Sequence, residues 1–121
     1  MKVLVVGGTR FMGVDTVELL LEHEHEVVVF NRGTRAGLWP GRVREVRGDR
    51  TDAGALAQLA GESFDGVVDF CAYRADDVRG LLAVQGEAQR HVHMSSGTVY
   101  ALAPRLPWAE DTPYEIGRAH V

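Results

Sequence analysis

Val3-Leu4-Val5-Val6-Gly7-Gly8-Thr9-Arg10-Phe11-Met12-Gly13 joins an apolar run to a glycine-rich turn, and helix-period apolar residues follow it. This order predicts a buried strand, a tight turn at Gly7 and a helix that packs closely on the strand at Gly13. The free N–H groups at the start of that helix would face the pyrophosphate of a dinucleotide. A glycine turn that only links a strand to a helix is the alternative. The residues expected to contact the cofactor are Gly7, Gly8, Thr9, Arg10, Phe11, Met12 and Gly13.

Apolar runs and helix-period runs alternate along the chain, which is typical of βαβ units around a parallel sheet buried on both faces. Strands are predicted at residues 2–6, 26–30, 43–46, 66–70 and 91–94. Helices are predicted at residues 13–23, 52–60 and 76–87, with Asp52 as the cap that starts the second helix and Gly61 as the residue that ends it. Because crossovers between parallel strands are right-handed, the expected strand order is 3-2-1-4-5. The sequence therefore predicts an α/β fold, a Rossmann-type parallel sheet with helices on both faces, truncated after about five strands.

Composition excludes several classes of protein. The 121 residues are 45% hydrophobic and 25% charged, which is typical of a globular domain. No apolar run reaches the roughly 18 residues that a membrane span requires, so no membrane partner is expected. The single cysteine and the absence of a secretory signal pattern after Met1 favour a cytoplasmic location. The net charge of -4 gives no long-range attraction for nucleic acid, so no nucleic-acid partner is expected.

The glycine segment resembles the N-terminus of the extended short-chain dehydrogenase/reductases, the superfamily that contains the NAD-dependent epimerases and dehydratases. Those proteins read Thr-Gly-Gly-x-Gly-Phe/Tyr-Ile-Gly where this chain has residues 6–13. Val6 replaces the threonine, and Arg10 replaces the glycine that lets the backbone approach the phosphates. The loop is more similar to atypical members, including relatives of the chloroplast stem-loop-binding proteins. Arg10 would either contact a phosphate or remain a solvent-facing side chain.

The residues after the second predicted strand bear on the choice of cofactor. Members of the family that use NAD usually carry an acidic residue there, which bonds both ribose hydroxyls, but this chain has Asn31-Arg32-Gly33. Without the carboxylate, a 2′-phosphate is not repelled, and Arg32, Arg35 or Arg10 would pair with it. The resemblance implies NAD(P) as the cofactor, with NADP favoured over NAD. Solvated arginines are the alternative.

Two further segments resemble cofactor-binding parts of the family. Residues 48–52 are similar to a Gly-Asp-x-x-Asp segment whose first acid lies by the adenine, although a plain turn is the alternative. Residues 67–72 match the place of a His-x-Ala-Ala segment beside the cofactor, with Asp69 in place of the histidine. The resemblance therefore adds to the cofactor site, beyond Asn31 and Arg32, the residues Asp49, Arg50, Phe70, Cys71 and Ala72.

The catalytic half of the family pattern is incomplete. Residues 94–100 resemble its Ser-Ser-x-x-Val-Tyr-Gly segment, whose second serine polarises the substrate oxygen. The resemblance makes Ser96 the catalytic candidate and Thr98 the second, with ordinary turn chemistry as the alternative. The family also needs Tyr-x-x-x-Lys, whose tyrosine is the general acid/base. The only partial match to this motif pairs Tyr114 with Arg118, and arginine cannot replace the lysine because its side chain does not titrate in the same range.

The last residues of the chain are unusual. Residues 115–121 match the translation of a common short-read sequencing adapter. We therefore expect part of an NAD(P)-binding Rossmann domain over residues 1–114 and a non-native tail over residues 115–121.

The expected function is that of an NAD(P)-dependent epimerase/dehydratase or reductase-like protein, of which this chain is the cofactor-binding half. Hydride would pass to or from a small-molecule alcohol or ketone such as a sugar nucleotide. A non-catalytic, redox-sensing NAD(P)-binding module and an RNA-binding relative of the stem-loop-binding proteins are the alternatives. Two His-x-His pairs lack further ligands, so no metal site is predicted. The sequence leaves the oligomeric state open.

Overall fold

A computed structural model describes residues 1–85, 88 and 90–95 of the chain. Its strands are β1 (Lys2–Val6), β2 (Glu26–Asn31), β3 (Arg44–Arg47), β4 (Gly66–Asp69) and β5 (Arg90–His93). Its helices are α1 (Met12–Glu22), α2 (Ala53–Leu56), which a 3-10 turn continues at Ala57–Leu59, and α3 (Ala75–Gln85). None of the helices in these ranges has both the length and the apolar character needed to cross a membrane.

The strands form one parallel sheet in the order β3-β2-β1-β4-β5. Val6 pairs with Phe30 on one side and with Asp69 on the other, so β1, β2 and β4 end at the same edge. The predicted fold class and strand order are therefore confirmed. β4 and β5 each end one residue earlier than predicted, although Phe70 and Met94 still donate their N–H groups to the neighbouring strand.

Two apolar layers cover the sheet, one on each face. Alternate residues of β1 and β2 point into each layer, which explains why residues 3–6 and 27–30 are all apolar. One layer packs the sheet against α2, the 3-10 turn and α3 through Leu4, Val6, Val28, Phe30, Leu56, Leu59 and Leu81. The other packs it against α1 and the β2–β3 connection through Val3, Val5, Val17, Val27, Val29 and Trp39.

The segment predicted as one helix over residues 52–60 is divided into α2 and the 3-10 turn. Asp52 caps α2 as the sequence predicted, since its Oδ1 accepts the N–H of Gly54 at 3.0 Å. Gly61 follows the 3-10 turn with φ 82°, as expected for the residue that ends the segment. Leu56 and Leu59 are three residues apart, a spacing at which a 3-10 turn places side chains on the same side. Both leucines are buried.

A loop instead of a helix connects β2 to β3, over residues 32–43. Its anchor is Trp39, which is only 2% exposed and packs in the layer that contains Val17 of α1. The indole Nε1 donates to Oε1 of Glu18 at 2.6 Å. The loop therefore covers the part of the sheet beside α1 and begins at the edge where β2 ends.

Candidate functional site

A cavity of about 600 Å³ opens at the carboxyl edge of the sheet. It lies where β1 is flanked by β2 and β4, which is the point at which the direction of strand succession reverses. Most of its lining comes from the glycine loop, the exit of β2, the residues after β3 and the residues after β4. Open α/β sheets bind ligands in this kind of crevice.

The cavity brings together most of the residues that the sequence singled out. Those that line it are Gly7, Thr9, Arg10, Phe11, Met12, Gly13, Asn31, Arg32, Asp49, Arg50, Phe70 and Cys71. Gly8 and Ala72 do not line it, and Gly8 is buried within the glycine loop. The catalytic candidates Ser96 and Thr98 lie outside the described residues.

Several lining residues were not singled out from the sequence: Val6, Phe30, Thr34, Gly48, Thr51, Tyr73, Asp77 and Met94. Most of them end a strand or directly follow a motif residue, so the strand boundaries would have indicated them. Asp77 carries no such signal, because it lies inside the first turn of α3. Its place in the cavity depends on how α3 packs.

Close contacts explain why the loop has glycine at Gly7 and at Gly13. Gly7 has φ 79°, and its N–H donates to the carbonyl oxygen of Phe30 at 2.9 Å. A Cβ on Gly7 would lie 2.8 Å from Sγ of Cys71, so the loop is held between the exits of β2 and β4. A Cβ on Gly13 would lie 2.7 Å from Cα of Gly8. The close approach expected at Gly13 is therefore made to the glycine loop itself.

Helix α1 begins at the cavity without a side-chain cap. Phe11, at its N-cap, has φ 46° and ψ -125°, and its side chain is 88% exposed. Such a conformation costs a non-glycine residue on the order of 1–3 kcal/mol. The positive end of the helix dipole and the uncapped first turn face the cavity, and both favour an anionic ligand such as a phosphate.

The exit of β2 is polar and positively charged. Asn31 is buried, and its Oδ1 accepts the N–H of Gly33 at 2.6 Å, whereas its Nδ2 has no partner among the described residues. Arg32 is exposed at the cavity, and neither it nor Arg10 forms an ion pair within the part of the chain that the structure describes. The side chain of Arg47 lies against Gly33. Guanidinium groups therefore flank the position at which an NAD user would carry a carboxylate.

The loop after β3 presents a carboxylate that is held by its own neighbours. Oδ1 of Asp49 accepts the hydroxyl of Thr51 at 2.7 Å and the N–H of Thr51 at 2.8 Å. These two hydrogen bonds hold the pKa of Asp49 below its ordinary value, and the charge of Arg32 acts in the same direction. Asp49 is therefore an ionised acceptor at the cavity at neutral pH.

Arg50 and Asp69 form a buried ion pair at the same edge. Nη1 of Arg50 donates to Oδ1 of Asp69 at 2.5 Å, and the two side chains are 8% and 0% exposed. Nη2 of Arg50 donates to the carbonyl oxygen of Asp77, also at 2.5 Å. Burial alone would lower the pKa of Arg50, but the hydrogen bond and charge of Asp69 outweigh it and raise the pKa. Sequence reasoning treated Arg50 as a cofactor contact and did not find this pair.

Cys71 lies just beyond β4 and is half-buried against the glycine loop. Its Sγ is 3.9 Å from Nη1 of Arg50. Burial raises the pKa of the Cys71 thiol despite that guanidinium, so the group stays protonated at neutral pH and is a poor nucleophile. Within the described residues, no three His, Cys, Asp or Glu side chains are placed to hold a metal ion.

Comparison with known proteins agrees with this architecture. The model of the NAD dependent epimerase/dehydratase family matches residues 3–83. The chain is 30% identical over 133 residues to the chloroplast stem-loop binding protein of 41 kDa b from Arabidopsis thaliana, covering 98% of this chain and 35% of that protein. It is 37% identical over 113 residues to 2′-dehydrokanamycin reductase from Streptomyces kanamyceticus, covering 93% of this chain and 32% of that protein.

Among solved structures, a UDP-glucose-4-epimerase from Stenotrophomonas maltophila with bound NAD has the same fold, with a TM-score of 0.78 and 22% identity. That match covers 99% of this chain and 44% of that chain. The chain spans about a third of the length of the two curated relatives described above. Since the family model extends over more than half of the residues, the resemblance carried by the glycine segment is confirmed, and the chain belongs to the NAD-dependent epimerase/dehydratase family.

Proposed function

We propose that the chain is the dinucleotide-binding part of an NAD(P)-dependent epimerase/dehydratase or reductase. The observation that carries the proposal is the cavity at the reversal point of the sheet, into which the uncapped N-terminus of α1 points across a glycine loop. The named relatives add support, since one is a reductase and a solved structure of the same fold is an epimerase with bound NAD.

The residues of the cavity fit a dinucleotide in four places. The glycine loop and the first turn of α1 would hold the pyrophosphate through residues 7–13. Asn31 has an unpartnered buried amide within the described residues, which suits a ribose hydroxyl. Asp49 would accept a hydrogen bond from the adenine amino group, while Phe70 and Cys71 would lie along the other half of the cofactor. When bound, the nicotinamide would supply or accept hydride.

Within this proposal, NADP binds more tightly than NAD. The exit of β2 offers Arg32 and Thr34 to the cavity and no carboxylate, so a 2′-phosphate would gain charge-assisted hydrogen bonds without repulsion. Arg35 lies further along the same loop and does not line the cavity. The two arginines therefore make a matched pair for a test.

Calorimetric titration of the chain with NADP⁺ and with NAD⁺ tests the proposal. We expect both to bind, with Arg32→Ala weakening NADP⁺ by about tenfold, the worth of one charge-assisted hydrogen bond, and NAD⁺ much less. Arg35→Ala is the control and should leave both affinities unchanged. Failure of the unmodified chain to bind either dinucleotide would refute the proposed function, and equal effects of the two substitutions would refute the NADP assignment.

For the reaction of the whole protein, we propose that Ser96 polarises the oxygen of a sugar-nucleotide-like alcohol or ketone. Thr98 is the second hydroxyl for this role. Lys2 is the only lysine in the given sequence, so Tyr-x-x-x-Lys does not occur in it. The given sequence therefore does not contain the tyrosine general acid/base of that motif. One relative is named as a stem-loop binding protein, so RNA binding is the alternative function. Retention of RNA on a filter by this chain tests that alternative. The net charge of -4 argues against such retention.

A further inference from the structure

The buried pair of Arg50 and Asp69 connects the two sides of the cavity. Arg50 directly follows Asp49, in the loop that leaves β3, whereas Asp69 is the last residue of β4. Through Nη2, Arg50 also holds the backbone carbonyl of Asp77 in the first turn of α3. One side chain therefore joins the loop after β3, the end of β4 and the start of α3.

Asp69 and Asp77, which both accept hydrogen bonds from Arg50, also accept hydrogen bonds from the segment that follows β4. Oδ1 of Asp69 accepts the N–H of Cys71 at 3.1 Å as well as the guanidinium, and its main-chain oxygen accepts the N–H of Met94. Oδ2 of Asp77 accepts the N–H groups of Tyr73 and Arg74, both at 3.0 Å. Moving the Arg50 guanidinium would therefore disturb the turn at residues 70–74.

Stability alone is a weak reason for such a pair. Taking two charges out of water costs several kcal/mol per ion, and apolar replacement of a whole buried ion pair is often neutral for stability. Nε of Arg50 and Oδ2 of Asp69 are also buried without a partner among the described residues, which adds to the cost. An apolar pair would fill this place with less electrostatic penalty, which points to a role in the geometry of the cavity.

We infer that Arg50 and Asp69 are positioning residues for the dinucleotide, which set the distance between the loop that carries Asp49 and the wall formed by residues 70–73. This inference rests on the proposed function. Because Arg50 and Asp49 are adjacent in the chain, fixing the Arg50 side chain fixes the backbone that presents the Asp49 carboxylate. The pair acts through its neighbours, and its own charges are neutralised within the protein.

The test compares stability with affinity in the complete 121-residue chain. The double substitution Arg50→Met/Asp69→Leu removes both charges together, so the melting temperature should stay close to that of the unmodified chain. Its affinity for NADP⁺ and NAD⁺, measured by calorimetry well below the melting temperature, should fall by about tenfold or more. Asp52→Ala is the matched control, since it removes the cap of α2 in the same segment but does not line the cavity. The control should melt earlier and keep its affinity within about twofold.

Arg50→Lys keeps the charge but cannot hold Asp69 and the Asp77 carbonyl in the same forked geometry. Its affinity should fall by about threefold or more, and it serves as the decisive variant where the double substitution does not fold. If the double variant, or Arg50→Lys in its place, binds as tightly as the unmodified chain, the positioning role is refuted while the proposed function stands. An affinity loss in Asp52→Ala equal to that of the Arg50 variants would also refute it, because general loosening would then explain both. If the unmodified chain binds neither dinucleotide, the proposed function itself fails.

Discussion

Replacing Gly13 with alanine should destabilise the fold, because the added methyl group meets backbone that cannot move aside. The Cβ would lie 2.7 Å from Cα, 2.9 Å from the carbonyl carbon and 3.1 Å from the carbonyl oxygen of Gly8. Carbon atoms pack best at about 3.5–4.0 Å, so the overlap is on the order of 1 Å. Overpacking of this kind costs about 1–3 kcal/mol, and the higher helix propensity of alanine offsets less than about 1 kcal/mol of it at the first turn of α1.

Thermal and urea unfolding followed by circular dichroism measures this loss. We expect the melting temperature to fall by roughly 3–5 °C for each kcal/mol lost in a chain of this size. Gly80→Ala is the matched control, since Gly80 also lies in a helix and its Cβ would meet only Cδ1 of Leu56 at 3.4 Å. That substitution should stabilise the fold by about 0.5–1 kcal/mol. A Gly13→Ala variant that is as stable as the unmodified chain would refute the account of the glycine loop.

Two further predictions concern groups outside the loop. Trp39→Phe should lower the free energy of unfolding by about 1–3 kcal/mol, because it removes the hydrogen bond to Glu18 and part of the buried ring. Leu38→Ala, at the exposed neighbouring residue, is the control and should change the free energy of unfolding by less than about 0.5 kcal/mol. Because burial raises the pKa of the Cys71 thiol, the folded chain binds this proton more tightly than the unfolded chain does, and stability should decline as pH rises above about 8.5. Urea unfolding between pH 7 and pH 10 measures the slope, which Cys71→Ala should reduce; an unchanged slope would contradict the assignment.

The sequence predicted the centre of the sheet well because the relevant signals are local. Strands β1 and β2 are buried on both faces, so continuous apolar runs report their burial directly. Asp52 and Gly61 mark the ends of a helical segment through their own backbone preferences. The strand order followed from the handedness of the crossovers, which is nearly invariant.

The parts that were not predicted depend on contacts between distant segments. Trp39 lies in a loop without periodic pattern, and its burial follows from the position of α1. Tyr73 and Asp77 reach the cavity only because α3 begins beside the exit of β4. For the same reason, the partner of Arg50 depends on how the loop after β3 meets the end of β4, and these two segments lie 19 residues apart in the chain.

Arg50 and Asp69 also explain a departure from the family pattern that the sequence alone left without a reason. Asp69 stands where the pattern has histidine, and a lone buried carboxylate at that position would be strongly destabilising. A lone buried arginine at position 50 would be equally costly, so each residue requires the other. The two positions therefore form one unit, and its consequence is a cavity edge held by a charge-assisted contact.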